Sequence, residues 1–182
     1  MEHHGFTLWF TGLSGAGKTT VSAIVIEELR SRGLKVEALD GDVVRTHLSK
    51  GLGFSKEDRD ANIRRIGFVC QILSRNGVIA VAAAISPYRA VRDEVRDMVN
   101  DFVEVYVHVS LDGAIARDVK GLYKKALAGE IKEFTGVSDP YEQPLNAELT
   151  LRTEEQTPRE SATQVLELLE RSGRIPALVK AG

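Results

Sequence analysis

Residues 7–33 read "TLWFTGLSGAGKTTVSAIVIEELRSRG", and the first half of this stretch decides the fold. The apolar run at 7–13 reads as a strand. It enters G-x-x-x-x-G-K-[ST] at 12–19, and a segment of helical period follows over 18–32. Gly12, Gly15 and Gly17 let the backbone turn tightly, so its N–H groups converge on a polyphosphate. The helix behind them adds its positive N-terminal end. Lys18 then bridges the outer phosphates, and the Thr19 hydroxyl is a ligand for Mg²⁺. A chance glycine turn would not come with a strand before it and a helix after it. A nucleoside triphosphate site is expected.

Working outward, further strand-like runs fall at 35–41, 78–85, 102–109 and 148–153, and the unbroken apolar run from Val78 to Ile85 suits a strand buried on both faces, as in a parallel sheet. Helical periodicity fills 58–75, 88–100, 111–128 and 158–172. Strands alternating with helices of this length predict right-handed βαβ units and a parallel α/β sheet covered on both faces. A single domain over 1–182 is expected, with no internal repeat or low-complexity tract. The long irregular segment 129–147 reads as a mobile lid.

The totals exclude several classes. Of 182 residues 43% are apolar and 27% charged, ordinary values for a globular protein, and the formal net charge is −2. Nothing attracts the chain wholesale to a nucleic acid polymer or a membrane surface, so an anion site must be made locally. The one cysteine, Cys70, cannot form an internal disulfide and sits on an apolar helical stripe, where packing is the expected role. No apolar run approaches membrane-spanning length and no signal pattern precedes the first strand, so a cytoplasmic location is expected. His3 and His4 are metal ligands or, more simply, solvated side chains. From the abrupt start before the first strand, either a domain excised from a longer chain or a trimmed terminus is expected.

The phosphate loop names the donor and is silent on the acceptor, because switches, motors and small-molecule kinases share it. In an open α/β sheet, ligands lie beyond the carboxyl ends of the strands. The second strand ends in "LDGDVVR", which supplies Asp40, Asp42 and Arg45. Asp42 either caps a starting helix or serves the site, orienting a metal's waters or taking a proton from an attacking hydroxyl. On the next helix the apolar stripe Ile63, Ile66, Cys70 and Leu73 extends back to Arg59, with Asn62 alongside. Polar groups on a core face need a partner, either a bound anion or an acidic neighbour. Phe54, in a glycine-flanked loop, is placed to stack on a base or simply to pack. The third strand ends in "ISPYR", where Ser86 is a nucleophile, a hydrogen-bond donor or the N-cap before Pro87. The basic run Arg117, Lys120, Lys124, Lys125 and Lys132 is a solvated face or a lid that closes cations over phosphates.

Taken in order, "FTGLSGAGKTT", "LDGD..R", "LGFS..DR..NIRRI", "ISPYR" and "KGLYKKA.AGEIK.FTG" resemble the adenylylsulfate kinase (APS kinase) family over roughly residues 5 to 153. The resemblance implies a P-loop NTPase three-layer fold with a five-stranded parallel sheet, helices on both faces and a lid over about 117–147. It implies phosphorylation of the 3′-hydroxyl of adenosine 5′-phosphosulfate by ATP, giving PAPS and ADP, in sulfate assimilation. ATP·Mg²⁺ would lie on Gly12, Leu13, Ser14, Gly15, Ala16, Gly17, Lys18, Thr19 and Thr20, with Thr19 and Asp42 toward the metal. Adenylylsulfate would meet Asp42, Arg45, Phe54, Arg59 and Asn62, then Ile85, Ser86, Lys120 and Phe134. Lys18, Asp42 and Ser86 are the catalytic set, Ser86 matching a serine that some members are said to phosphorylate. In-line transfer needs no such intermediate. Adenine contacts on the ATP side are expected near Arg117 and Thr157. The family also implies a homodimer and, as usual fusion partner, an ATP sulfurylase.

Two departures stand out: Val43 where the family has asparagine, and Ala84 before Ile85 where it has phenylalanine. The rivals are a gluconate- or nucleoside-type kinase, and a catalytically silent nucleotide-binding regulatory module. Retained Lys18, Thr19 and Asp42 speak against the second.

Overall fold

The computed structural model describes residues 4–177; His3 lies outside them and His4 is exposed. Five strands form the sheet: β1 Thr7–Thr11, β2 Val36–Asp40, β3 Ile79–Ala83, β4 Phe102–His108 and β5 Leu149–Arg152. Their order is β2-β3-β1-β4-β5 and every pairing is parallel, the fold expected from the alternation of strands and helices. The helices are α1 Lys18–Ser31, α2 Gly41–His47, α3 Lys56–Arg75, α4 Arg89–Met98, α5 Leu111–Arg117, α6 Leu122–Leu127 and α7 Pro158–Arg171. Among the described residues, no helix is long and apolar enough to cross a membrane.

Side chains alternate across each strand, so the central strands β1 and β3 serve two cores, whereas the edge strand β5 gives Leu149 and Leu151 to one. Leu8 and Phe10 of β1, with Ile79 and Val81 of β3, pack beside α1 and α7. Trp9, Ala80 and Ala82 point the other way, toward α3 and α4. This resolves the unbroken apolar run of β3. Ala80 and Ala82 share one face, where the Trp9 ring takes the volume, while Ala83 joins the other core.

The same layer is tight at Gly67 of α3, where a Cβ would lie 2.7 Å from one Val95 methyl of α4 and 2.8 Å from the other. Two effects oppose each other in Gly67→Ala. Helix propensity would gain about 1 kcal/mol, and overpacking a stiff β-branched neighbour costs about 1–3 kcal/mol. The clash wins, because both methyls are obstructed. A net loss of about 1–2 kcal/mol is expected in urea unfolding at unchanged m-value.

One predicted helix is two. The span 111–128 breaks after Arg117, where Asp118 has φ 22° and Gly121 has φ 65°. The Asp118 carboxylate caps α6, accepting from the Tyr123 and Lys124 amides. The interruption lets the chain turn from the sheet toward the site.

The irregular segment 129–147 is also not uniform. Its second half is fastened down, for the Glu142 amide donates to Pro87 O at 2.8 Å, and the Arg89 amide donates to the Glu142 carboxylate at 2.7 Å. The Tyr141 hydroxyl bonds Thr11 Oγ1 at 2.8 Å, and its ring stacks 5.9 Å from Tyr106. Glu142 therefore satisfies the start of α4, whose N-cap is Tyr88 with no side-chain cap. Ser86 is not that cap.

Candidate active site

The phosphate loop joins β1 to α1 with Gly12, Gly15 and Gly17 at φ 150°, 75° and 102°. These values favour glycine, and at Gly12 a Cβ would also meet Val107 O at 2.3 Å. No side chain caps α1 and its first turn carries no acidic residue, which leaves its N–H groups free for an anion. Lys18 Nζ lies back on the loop, donating to Gly12 O and Leu13 O at 2.8 Å each. Burial, and then the nearby Lys120 charge, push the Lys18 pKa down to about 8.

That pKa has a testable consequence. A bound triphosphate favours charged Lys18, so above pH 8 nucleotide binding must draw in a proton. Calorimetry in buffers of different ionisation enthalpy is expected to show uptake approaching one proton near pH 9 and little near pH 7. Affinity should weaken as pH rises through 8. For stability the sign is the same as for any base with a lowered pKa. Between about 8 and 10.5 the unfolded chain binds the extra proton, so this group's contribution rises with pH.

Asp40 and Asp42 have separate duties. Asp40 is the N-cap of α2, accepting from the Asp42 amide, and its other carboxylate oxygen accepts from the Thr19 hydroxyl at 2.9 Å. Asp42 is exposed and paired with Lys120. Capping thus falls to Asp40, and Asp42 is free to face a ligand. The carboxylate that Thr19 meets is also Asp40. Its position at the C-terminal end of β2 was the available signal.

A cavity of about 680 Å³ runs from this loop to the far side of the sheet edge. Ser14, Gly15, Gly17, Lys18, Thr19 and Thr20 line one end. Arg45, Phe54, Arg59 and Asn62 line the other, with Ile85 and Ser86 between and Lys120, Lys132 and Phe134 above. Arg59 and Asn62 are 6% and 5% exposed, as the helical stripe requires. Arg59 Nε donates to Phe54 O at 2.7 Å, and its Nη2 donates to Glu133 O, with Asp139 at 3.8 Å. Asn62 Oδ1 is buried without a protein partner. Phe54 is 53% exposed, and the Arg45 and Arg59 guanidiniums lie 4.6 and 5.5 Å from its ring centre. Burial and then the Arg59 charge lower the Arg45 pKa. An exposed ring between two crowded cations suits a planar, anionic ligand.

Some predicted residues take other places. Ala16 is buried under the loop. Leu13 packs against Gly136. Arg117 does not line the cavity; it braces the loop from outside, reaching Gly15 O, Ala16 O and Thr153. Thr157 forms a capping box with Glu160 at the start of α7 and is likewise not in the cavity wall. Lys124 and Lys125 stay exposed, and neither lines the cavity. The Ser86 hydroxyl is buried, accepting from Trp9 Nε1 at 3.1 Å and donating to Thr11 Oγ1 at 2.9 Å. Cys70 is buried in the α3 core, which pushes its thiol up to about 12.

Comparison with known proteins agrees with this geometry. The family model described as adenylylsulphate kinase matches residues 4–152. An adenylyl-sulfate kinase of Rippkaea orientalis is 60% identical over 173 residues, covering 95% of this chain and 96% of the relative. A probable bifunctional SAT/APS kinase of Sorangium cellulosum is 57% identical over 94% of this chain, which spans 30% of that longer protein. The solved APS kinase of Mycobacterium tuberculosis in complex with AMPPNP and APS superposes with TM-score 0.89 at 41% identity, covering 92% of this chain and 99% of that one. Motif order, a single cavity with a phosphate loop at one end and a cation-flanked ring at the other, and full-length relatives agree: the chain belongs to the adenylylsulphate kinase family.

Proposed function

We infer that this chain transfers the γ-phosphoryl group of ATP to the 3′-hydroxyl of adenosine 5′-phosphosulfate, releasing ADP and PAPS. The observation that carries this reading is the continuity of the cavity, whose walls hold the phosphate loop and the Arg45–Phe54–Arg59 cluster together. The acceptor oxygen bonds to the γ-phosphorus as the bond to the β–γ bridging oxygen breaks, and the hydroxyl proton passes to Asp42. Lys18 and Lys120 face the charge that spreads over the phosphoryl oxygens. Phe54 stacks on the acceptor's adenine, while Arg45, Arg59 and Asn62 take its anionic linkage. The buried Ser86 hydroxyl is already engaged on both sides, so we give it a structural part in shaping the acceptor wall rather than a nucleophile's part.

Mg²⁺ fits the residues present, because the Thr19 hydroxyl and Asp40 carboxylate form an oxygen-only pair beside the loop, with Asp42 nearby. When bound there, the ion would neutralise triphosphate charge. A cytoplasmic homodimer, with an ATP sulfurylase supplying the acceptor, belongs to the same reading.

The test is ADP release with Mg²⁺–ATP, with and without adenylylsulfate, using gluconate and AMP as control acceptors. Turnover only with adenylylsulfate supports the reading. Turnover with gluconate or AMP, or ADP release indifferent to every acceptor, sinks it.

A further inference from the structure

Arg92 is 2% exposed, yet nothing in the phosphoryl transfer just described uses it. A buried guanidinium is costly unless it is paired and its donors are engaged. Here one arm donates to Ser86 O at 2.6 Å and the other to Glu142 O at 2.6 Å. Its neck, Nε, lies 3.0 Å from the buried Glu104 carboxylate, close enough for an ion pair though not aligned as a hydrogen bond. Glu104 is held in turn by Arg96, which also pairs with Glu148.

The two carbonyls that Arg92 grips are significant. Ser86 lies in the turn after β3, in the cavity's middle wall, and it is strained, with φ 42° at a non-glycine residue. Its hydroxyl joins Thr11, the residue immediately before the phosphate loop, and Thr11 Oγ1 also donates to Ile85 O at 2.8 Å. Glu142 belongs to the fastened half of the irregular segment, next to Tyr141, whose hydroxyl reaches the same Thr11. One guanidinium therefore ties the acceptor wall to the strap that crosses it, and Thr11 ties both to the donor loop.

We propose that Arg92 is a positioning residue for phosphoryl transfer, holding the strained turn that follows β3 so that the acceptor hydroxyl meets the γ-phosphoryl in register. The inference rests on the kinase reading above. Arg92 does not itself line the cavity and meets the acceptor wall only through the Ser86 carbonyl, so its loss leaves both binding clusters in place and loosens their mutual placement. Misplacement by about 1 Å can cost about 10²-fold in rate while binding persists.

Two variants keep the buried charge balanced and so separate positioning from folding. Arg92→Lys retains a cation opposite Glu104, but a compact ammonium cannot pair at its neck and reach two carbonyls at its tip. The double variant Arg92→Met with Glu104→Gln removes the ion pair altogether and also removes both carbonyl contacts. In each, kcat is expected to fall by about 10²-fold, with KM for ATP and for adenylylsulfate within about threefold of the unaltered enzyme. Thermal unfolding is measured in parallel. Either variant with kcat within about threefold of the parent reduces Arg92 to a packing role, whatever its Tm. A rise in both KM values with the fall in kcat overturns the proposal too, because it signals general damage. The unaltered enzyme, assayed alongside, separates the two readings: a parent that fails to use adenylylsulfate overturns the kinase reading and the Arg92 proposal with it, whereas an active parent with unimpaired variants overturns the Arg92 proposal alone.

Discussion

Lys18→Met is expected to fold, to bind nucleotide weakly and to lose about 10³-fold in kcat with adenylylsulfate. Methionine preserves the side chain's volume and flexibility and removes its charge. The cost appears in the transition state, where negative charge spreads over the transferring phosphoryl and the ammonium that the Gly12 and Leu13 carbonyls now hold is missing. The same change should act in the opposite direction on stability. Burial holds the Lys18 pKa at about 8, well below its ordinary 10.5, so at neutral pH the fold carries a charge it disfavours. Removing that charge is expected to raise the Tm of the ligand-free protein, at about 2–4 °C per kcal/mol for a chain of this size. Steady-state kinetics and a thermal melt on one preparation check both signs. A variant that is inactive and less stable would point to a collapsed loop instead of a lost charge.

Arg59→Ala is the second large effect, and it should be one-sided. Arg59 fixes the carbonyl of Phe54 on one side and that of Glu133, a non-glycine residue at φ 54°, on the other. It joins the floor of the acceptor cluster to the segment above it. Hydrogen bonds to a charged group contribute about 1.5–3 kcal/mol each, and two or more are lost together with the cation facing the acceptor's anionic linkage. A fall of about 10²–10³-fold in kcat/KM for adenylylsulfate follows. Most of it should appear in KM, with the affinity for ATP alone changing less than about threefold, since no phosphate-loop contact is removed. Isothermal titration with ATP, beside kinetics varied in adenylylsulfate, makes the comparison. Equal loss for both nucleotides would remove Arg59 from the acceptor side.

The donor half of the site is readable in the chain because it is local. Gly12 to Thr19 is a continuous segment whose backbone makes the site, and a strand and a helix mark its limits. Arg59 and Asn62 are readable because helical period carries a core stripe onto polar residues, which then demand a partner. Thr11, Tyr141 and Arg92 are not readable in this way. Their contacts cross 130, 75 and 50 positions of chain, and no periodicity records a meeting that only the sheet order creates. Thr157 shows a different failure. Thr-Pro-x-Glu over 157–160 is itself a capping-box pattern, a sufficient local reason for the threonine that leaves no need for a ligand. Likewise the segment 129–147 looks uniform as sequence, and only the contacts of Tyr141 and Glu142 divide it into a fastened strap and a freer portion.

The strand order β2-β3-β1 has a consequence for how such a catalyst can be retooled. The donor loop hangs from β1, and the acceptor wall hangs from its immediate neighbour β3 and the edge strand β2. Neighbouring strands stand about 4.8 Å apart, a spacing that backbone hydrogen bonds set and side chains barely alter. The sheet therefore works as a gauge block between the two reactants. New acceptors can be sought by rewriting α2, the Phe54 loop and the first turn of α3 alone, while the gap across which the phosphoryl group must jump stays fixed by the ladder beneath.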